Sequence, residues 1–358
     1  MKEKIITGIQ QVGIGVHDIA ETWRWYNEVF GFDEKMFDDE GVAERMLPYT
    51  GGKPQPRRAI LALNPRGGGG FEIWQPRGRA LNYPVAPLRI GDFGINICKI
   101  KTSDIDAAFA HCVEKKADVM CEIVKSPFGF RHFYLSDPWN NIFEVEEDDY
   151  VYINDKSKFT GGVNGVVIGV DDMQKSIEFY GRLLDYDIVA ADMTGVFDDM
   201  NVLVGGGDKI RRVLLKRSKP VVGPFTDLIG TSHIELVKNL DSAPVKTLEG
   251  RLWGDPGFIH LCFDIRNMNL VRECAESLGQ PFVCDSGGDF DMGDANGHFT
   301  YVEDPDGTLI EFVETFKIPI IKKLGINVNL KKRNDEKPLC RLITKALRLF
   351  AVKPDDVK

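Results

Sequence analysis

Two hydrophobic rhythms alternate along this chain. VGIGVHDIAETWRWYNEVFGFDE (12–34) and VVIGVDDMQKSIEFYGRLLDYDI (166–188) each open as an alternating strand and pass an acidic residue, Asp18 or Asp172. Each then continues with apolar residues at helical spacing and leaves through an aromatic-rich exit into a second strand. The acidic residue stands where a helix N-cap accepts orphan N–H groups. Tyr26 and Tyr180 fall at the same place in the two helices. INICKIKTSDIDAAFAHCVEKK (95–116) and IHLCFDIRNMNLVRECAESLG (259–279) repeat the order of strand, polar cap and helix more weakly.

A second signature closes each unit. DPWNNIFEV (137–145) matches DPDGTLIEF (304–312), an Asp-Pro turn feeding a strand. GGFEIWQP (69–76) and TSHIELVK (231–238) also end their units with a glutamate among apolar residues. The chain therefore parses into four strand–helix–strand–strand–strand units, 8–78, 92–148, 162–240 and 256–316, separated by linkers rich in Pro, Gly and charge. The break near 150–160 predicts a first domain, 1–152, holding units one and two, and a second, 160–316, holding units three and four. A basic C-terminal extension, 317–358, remains. In it PLCRLITKALRLFAVK reads as a short amphipathic helix, docked on the body or forming an interface with a second copy. Contact with a membrane surface is the sharper alternative.

Side chains alternate across a strand. Leu309, Glu311 and Val313 share one face, while Ile310 and Phe312 pack toward the unit's helix. Glu311 is thus expected to point into the concavity of a curled sheet, as are Glu72, Glu144 and Glu235 by the same count. A buried carboxylate is costly unless paired or metal-bound, so four at one structural position ask for an explanation. His260 faces the same way as Glu311. Counting back from the caps, Gln11 holds the equivalent place in unit one and Gly165 in unit three. In unit two it is Asn96 or Ile97, of which Asn96 is favoured because it can ligate. His233, two residues before Glu235, and Tyr301, before the last turn, also face a cavity. Imidazole with carboxylate suits Zn, Fe, Mn or Ni.

Composition narrows the options. A net charge of -9 argues against a nucleic-acid-binding surface. No window reads as a transmembrane segment and no signal-peptide pattern opens the chain. Seven scattered cysteines without a CxxC pair predict reduced thiols in a cytoplasmic protein rather than a disulfide framework or thiolate zinc site. The four glycines of NPRGGGGFEIW lead into a strand, not a helix, so no phosphate-cradling loop is expected.

These openings and the DP-x-G/N-x-x-[apolar]-E-[apolar] closings resemble the vicinal oxygen chelate superfamily, which includes glyoxalase I, methylmalonyl-CoA epimerase, extradiol dioxygenases and bleomycin-resistance proteins. The resemblance spans nearly all of 8–316. It implies an α+β fold of four βαβββ modules, paired into two cup-shaped mixed sheets, with metal ligands on the first and last strands of each module. Carried over residue by residue, the second domain offers Glu235, His260 and Glu311, with Gly165 at the fourth position and His233, water or substrate to fill it. The first domain offers a weaker set, Gln11, Glu72, Asn96 and Glu144. The implied function is a glyoxalase- or epimerase-type enzyme acting on a small oxygenated substrate in the C-terminal cup. It would use a divalent metal (Zn, Ni, Fe, Mn or Co), with Glu235 or Glu311 moving a proton and Tyr301 as a phenolic acid. An Fe(II) dioxygenase, ring-cleaving or acting on a 2-oxo acid, is the second reading. A non-catalytic small-molecule binder of the bleomycin-resistance kind is the third.

Overall fold

The computed structural model describes residues 3–287, 290–291, 296–321 and 326–358. All four units are present. Their opening strands are Ile5–Gly15, Gly94–Thr102, Val163–Gly169 and Gly257–Arg266, and their closing strands Gly70–Pro76, Ile142–Glu147, His233–Asn239 and Leu309–Ile321. In three units an aspartate caps the helix between them. Asp18 accepts from the amides of Ala20 and Glu21, Asp104 from that of Ala107, and Asp172 from that of Lys175. The Asp-Pro turns are held the same way, Asp137 accepting from the amides of Trp139 and Asn141 and Asp304 from those of Asp306 and Thr308. The recurring Asn or Gly at the fourth turn position has a backbone reason. Asn140 and Gly307 adopt positive φ, 67° and 95°, which only Asn, Asp and Gly take up readily.

The units combine differently from chain order. The opening strands of units one and four lie antiparallel at the centre of a ten-stranded sheet, with Gly13 opposite His260. Each is flanked by its own parallel closing strand. Units two and three build the nine-stranded second sheet around Gly94–Thr102 and Val163–Gly169. The expected cups, units one with two and three with four, are therefore replaced by an outer cup (units one and four) and an inner cup (units two and three). Chain neighbours instead meet back to back. The Tyr26 hydroxyl donates to Asp137 at 2.7 Å and that of Tyr180 to Asp304 at 2.8 Å. Phe30 and Phe143 pack at 5.0 Å between ring centroids in the apolar core behind the sheets. Alternation fixes which face a residue occupies. It carries no information on which unit supplies the neighbouring opening strand.

The last closing strand runs on to Ile321, and the segment after it returns to the body. Arg348 pairs with Asp33 at 2.8 Å and Asp155 at 2.9 Å, and the Asn27 amide donates to the Val352 carbonyl. The amphipathic stretch forms a short helix, Arg341–Lys345, and a 3-10 turn, Ala346–Phe350, docked on the body. Among the described residues no helix is long and apolar enough to cross a membrane.

Candidate metal centre

The outer cup gathers four polar side chains from four different strands. Gln11 comes from the opening strand of unit one and Glu72 from its closing strand. His260 and Glu311 take the same two places in unit four. The His260 ring is fully buried, and its Nε2 lies 3.2 Å from an oxygen of Glu72 and 3.2 Å from one of Glu311. The Gln11 amide donates to Glu72 at 3.1 Å and Glu311 at 3.4 Å, fixing both carboxylates, and its own oxygen is buried without a partner. Among the described residues, Glu72, His260 and Glu311 are the only trio of potential metal ligands brought this close together.

Two aromatic rings hold the histidine. Trp253 stacks at 6.2 Å and Tyr301 meets it edge-on at 5.5 Å. On the third side is Gly13, where any Cβ would lie 2.2 Å from the imidazole. That glycine is what lets the ring reach the carboxylates. Burial lifts the Glu72 carboxyl and the nearby Glu311 charge lifts it further, against the pull of His260. Burial opposes charge on His260, yet Glu311 and Glu72 bring its pKa up to about 9. Tyr301, buried beside Glu311 and Glu72, is pushed well above the ordinary phenol range.

The inner cup has its four carboxylates at work in a different way. Lys99, wholly buried, places its ammonium 2.8 Å from Glu144, 3.0 Å from Glu235 and 3.5 Å from Glu146. Arg212 donates to Glu235 at 2.6 Å and to Asp199 at 2.8 Å. His132 lies 2.9 Å from Glu144, and His233 lies 3.2 Å from Glu146. Burial pushes these carboxyls up, but their basic neighbours pull harder and hold all three glutamates below the usual carboxylate range: Lys99 and His132 act on Glu144, His233 and Lys99 on Glu146, Arg212 and Lys99 on Glu235.

A family model for the glyoxalase/bleomycin resistance protein/dioxygenase superfamily matches residues 8–145 and 162–312. The chain belongs to this superfamily. Glyoxalase I from Zea mays superposes on it with a TM-score of 0.55 at 16% identity, over 87% of this chain and 92% of that one. A Bacillus subtilis protein provisionally described as a dioxygenase gives 0.57 at 13% identity, over 87% and 86%. No curated protein sequence matches this one significantly. At these identities the two likenesses speak for the fold.

Within the superfamily fold, the expected ligand sets are redistributed. Glu235 and His233 do not join His260 and Glu311; they belong to the inner cup, because the strand beside Gly257–Arg266 is Ile5–Gly15 and not Val163–Gly169. Gln11 and Glu72 leave Glu144 and complete the outer set. Asn96 is no ligand candidate: its side chain accepts from the Gly91 amide and donates to the carbonyls of Asp92 and Gly94, closing the turn before its strand. Register gives its supposed place to Ile97, two residues before Lys99, which pairs with Glu144 as Cys262 pairs with Glu311. At Gly165 a Cβ would sit 2.7 Å from the His233 carbonyl, so no side chain fits there. Tyr301 is in the outer cup as expected. Sequence reading missed Lys99, Arg212 and Gly13. A lysine on the cup-facing side of INICKIK was the available signal for the first.

The outer set fits a divalent ion. One imidazole and two carboxylates converging on one point are donors that Zn, Ni, Co, Mn and Fe accept, and the buried Gln11 oxygen beside them has no partner.

Proposed function

We propose that this protein is a divalent-metal-dependent lyase or isomerase of glyoxalase type, acting in the outer cup on a small molecule with oxygens on adjacent carbons. The supporting observation is the convergence of Gln11, Glu72, His260 and Glu311 on one buried point. A bound ion would supply Lewis-acid stabilisation of the negative charge that develops when a proton leaves carbon beside a carbonyl. The chain supplies the rest. Glu72, its basicity raised by burial and by Glu311, accepts that proton and returns it at the neighbouring carbon. Gln11 keeps the two carboxylates apart and oriented. Tyr301 is a neutral donor at the edge of the imidazole. Glu235, expected as a base, is tied to Arg212 and Lys99 and takes no part.

A single histidine disfavours the iron dioxygenase reading, whose usual triad is two histidines and one carboxylate. Seven unpaired cysteines support a reducing, cytoplasmic setting. The test is uptake of Zn, Ni, Co, Mn or Fe by the purified protein, followed by proton exchange at the carbon beside the carbonyl in hemithioacetal and 2-oxo thioester substrates. Stoichiometric uptake that is lost in His260→Ala is expected. A protein that binds none of these metals overturns the reading and leaves a non-catalytic binder.

A further inference from the structure

A cavity of about 150 Å³ opens directly onto the outer set, with Gln11, Glu72 and Glu311 in its lining. Apart from that end and from Gln10, Thr315 and Lys317, its lining residues are apolar. Phe37 and Leu63 come from unit one, Leu228 from the short helix Thr226–Ile229 of unit three, and Val313 from the last closing strand. Leu347 and Phe350 of the C-terminal segment form a further wall. Leu63, Leu228, Leu347 and Tyr152 pack as one buried cluster, so this wall is a fixed part of the core rather than a loose flap. The segment lies beyond the superfamily match, which ends at residue 312. The pocket is thus shaped by a part of the chain outside the common fold.

Size and chemistry together select an occupant. An apolar space of about this volume accommodates one benzene ring. Its polar end presents two carboxylates and an amide, where paired oxygens would be held. We infer that the substrate carries an aryl group: a single six-membered ring bonded to carbon adjacent to the vicinal oxygens, seated against Leu228 and Leu347. This rests on the metal reading of the outer cup for the oxygens, but not for the ring.

The full-length protein tests both parts separately. Toluene, which has a ring and no oxygens, is titrated by ligand-observed NMR without added metal. Mandelate and lactate, which share vicinal oxygens and differ in phenyl against methyl, are titrated by calorimetry into Zn- or Ni-loaded protein. Toluene is expected to bind, and Leu347→Trp, which fills the cavity, to weaken it at least about tenfold with metal uptake unchanged. Leu228→Trp fills the same space from the short helix Thr226–Ile229 and serves if the first variant folds poorly. Mandelate is expected to bind at least about tenfold more tightly than lactate, a difference of about 1.4 kcal/mol. Failure of toluene to bind, indifference to both tryptophans, or equal binding of the two acids overturns the aryl assignment. Toluene binding that the tryptophans abolish, in a protein that takes up no metal, overturns the metal reading alone and upholds the ring site.

Discussion

The two cups are the same construction with opposite contents. In each, a glutamate on the closing strands faces the centre: Glu72 and Glu311 in the outer cup, Glu235 and Glu144 in the inner one. What stands between them differs. The outer cup has Gly13 and His260, so an imidazole fits where a backbone makes room. By register the inner cup has Val167 and Ile97 in those places, both buried among Tyr134 and Val237. Its centre is taken by the Lys99 ammonium. One cup balances its carboxylates internally with a covalently attached ammonium. The other brings its two carboxylates to a single imidazole, with no lysine or arginine among the described residues paired to either. Lys99 thus occupies the electrostatic role in the inner cup that a divalent ion would hold in the outer one, and this explains why four glutamates recur while only two remain available for chemistry.

The largest effect is expected at Lys99. Removing one partner of a buried ion cluster leaves the others uncompensated and typically costs about 3–5 kcal/mol. Lys99→Met should lower the thermal midpoint more than any other substitution named here, and do so without altering metal uptake by the outer cup. A Lys99→Met protein that melts like the parent would remove the inner cup's claim to be a structural core.

Acid separates the cups next. Glu144, Glu146 and Glu235 have folded pKa values below their unfolded value of about 4.5. The stability they contribute is therefore present above pH 4.5 and lost as pH falls through the depressed folded values. Thermal midpoints measured downward from pH 5 should drop steeply in the parent. In Lys99→Met, where burial is opposed by fewer cations, the same plot should flatten. An unchanged slope would mean that other carboxylates govern acid unfolding.

How far the sequence carried this comparison depends on the kind of information each element holds. The repeat, the Asp caps and the Asp-Pro turns are local, and they gave four units with correct openings and closings. Facing is also local, so Gln11, Glu72, His260 and Glu311 were all read as cup-facing. Their assembly into one set was not legible, because it depends on the antiparallel pairing of Ile5–Gly15 with Gly257–Arg266, some 250 residues apart in sequence. Lys99 was overlooked because lysine in a strand ordinarily marks an exposed edge. Here it is stabilised only by carboxylates contributed by two units.

The outer cup should respond in the reverse manner to the inner. Glu311→Gln keeps the shape but removes a charged ligand, and loss of a ligand should exceed the roughly 10–100-fold affinity loss typical of outer-shell changes. Metal titration should show a decrease of at least about 100-fold, while the thermal midpoint of the metal-free protein changes little. Gly13→Ala is a subtler version, since no ligand is removed. The added methyl would occupy space held by the His260 ring, so affinity should fall by about tenfold or more as the imidazole is displaced. Unchanged affinity would show that the ring has room the packing does not suggest.

The smallest effect is expected at Asn96, where the two cups were expected to look alike. Its side chain makes three hydrogen bonds to the backbone of Gly91, Asp92 and Gly94 and none to a cup residue. The Gly91 amide, left without its acceptor, is the main loss in Asn96→Ala, about 1–3 kcal/mol if water does not replace it and less if it does. Gly91 packs against Asn239, and the Asn239 amide donates to the Ile90 carbonyl. The destabilisation should therefore appear as local opening of this turn, read as faster amide exchange at Gly91, before it appears in the global melt. Metal affinity should be identical to that of the parent. A fall in metal affinity on this substitution alone would return Asn96 to the ligand set and undo the division of labour between the cups.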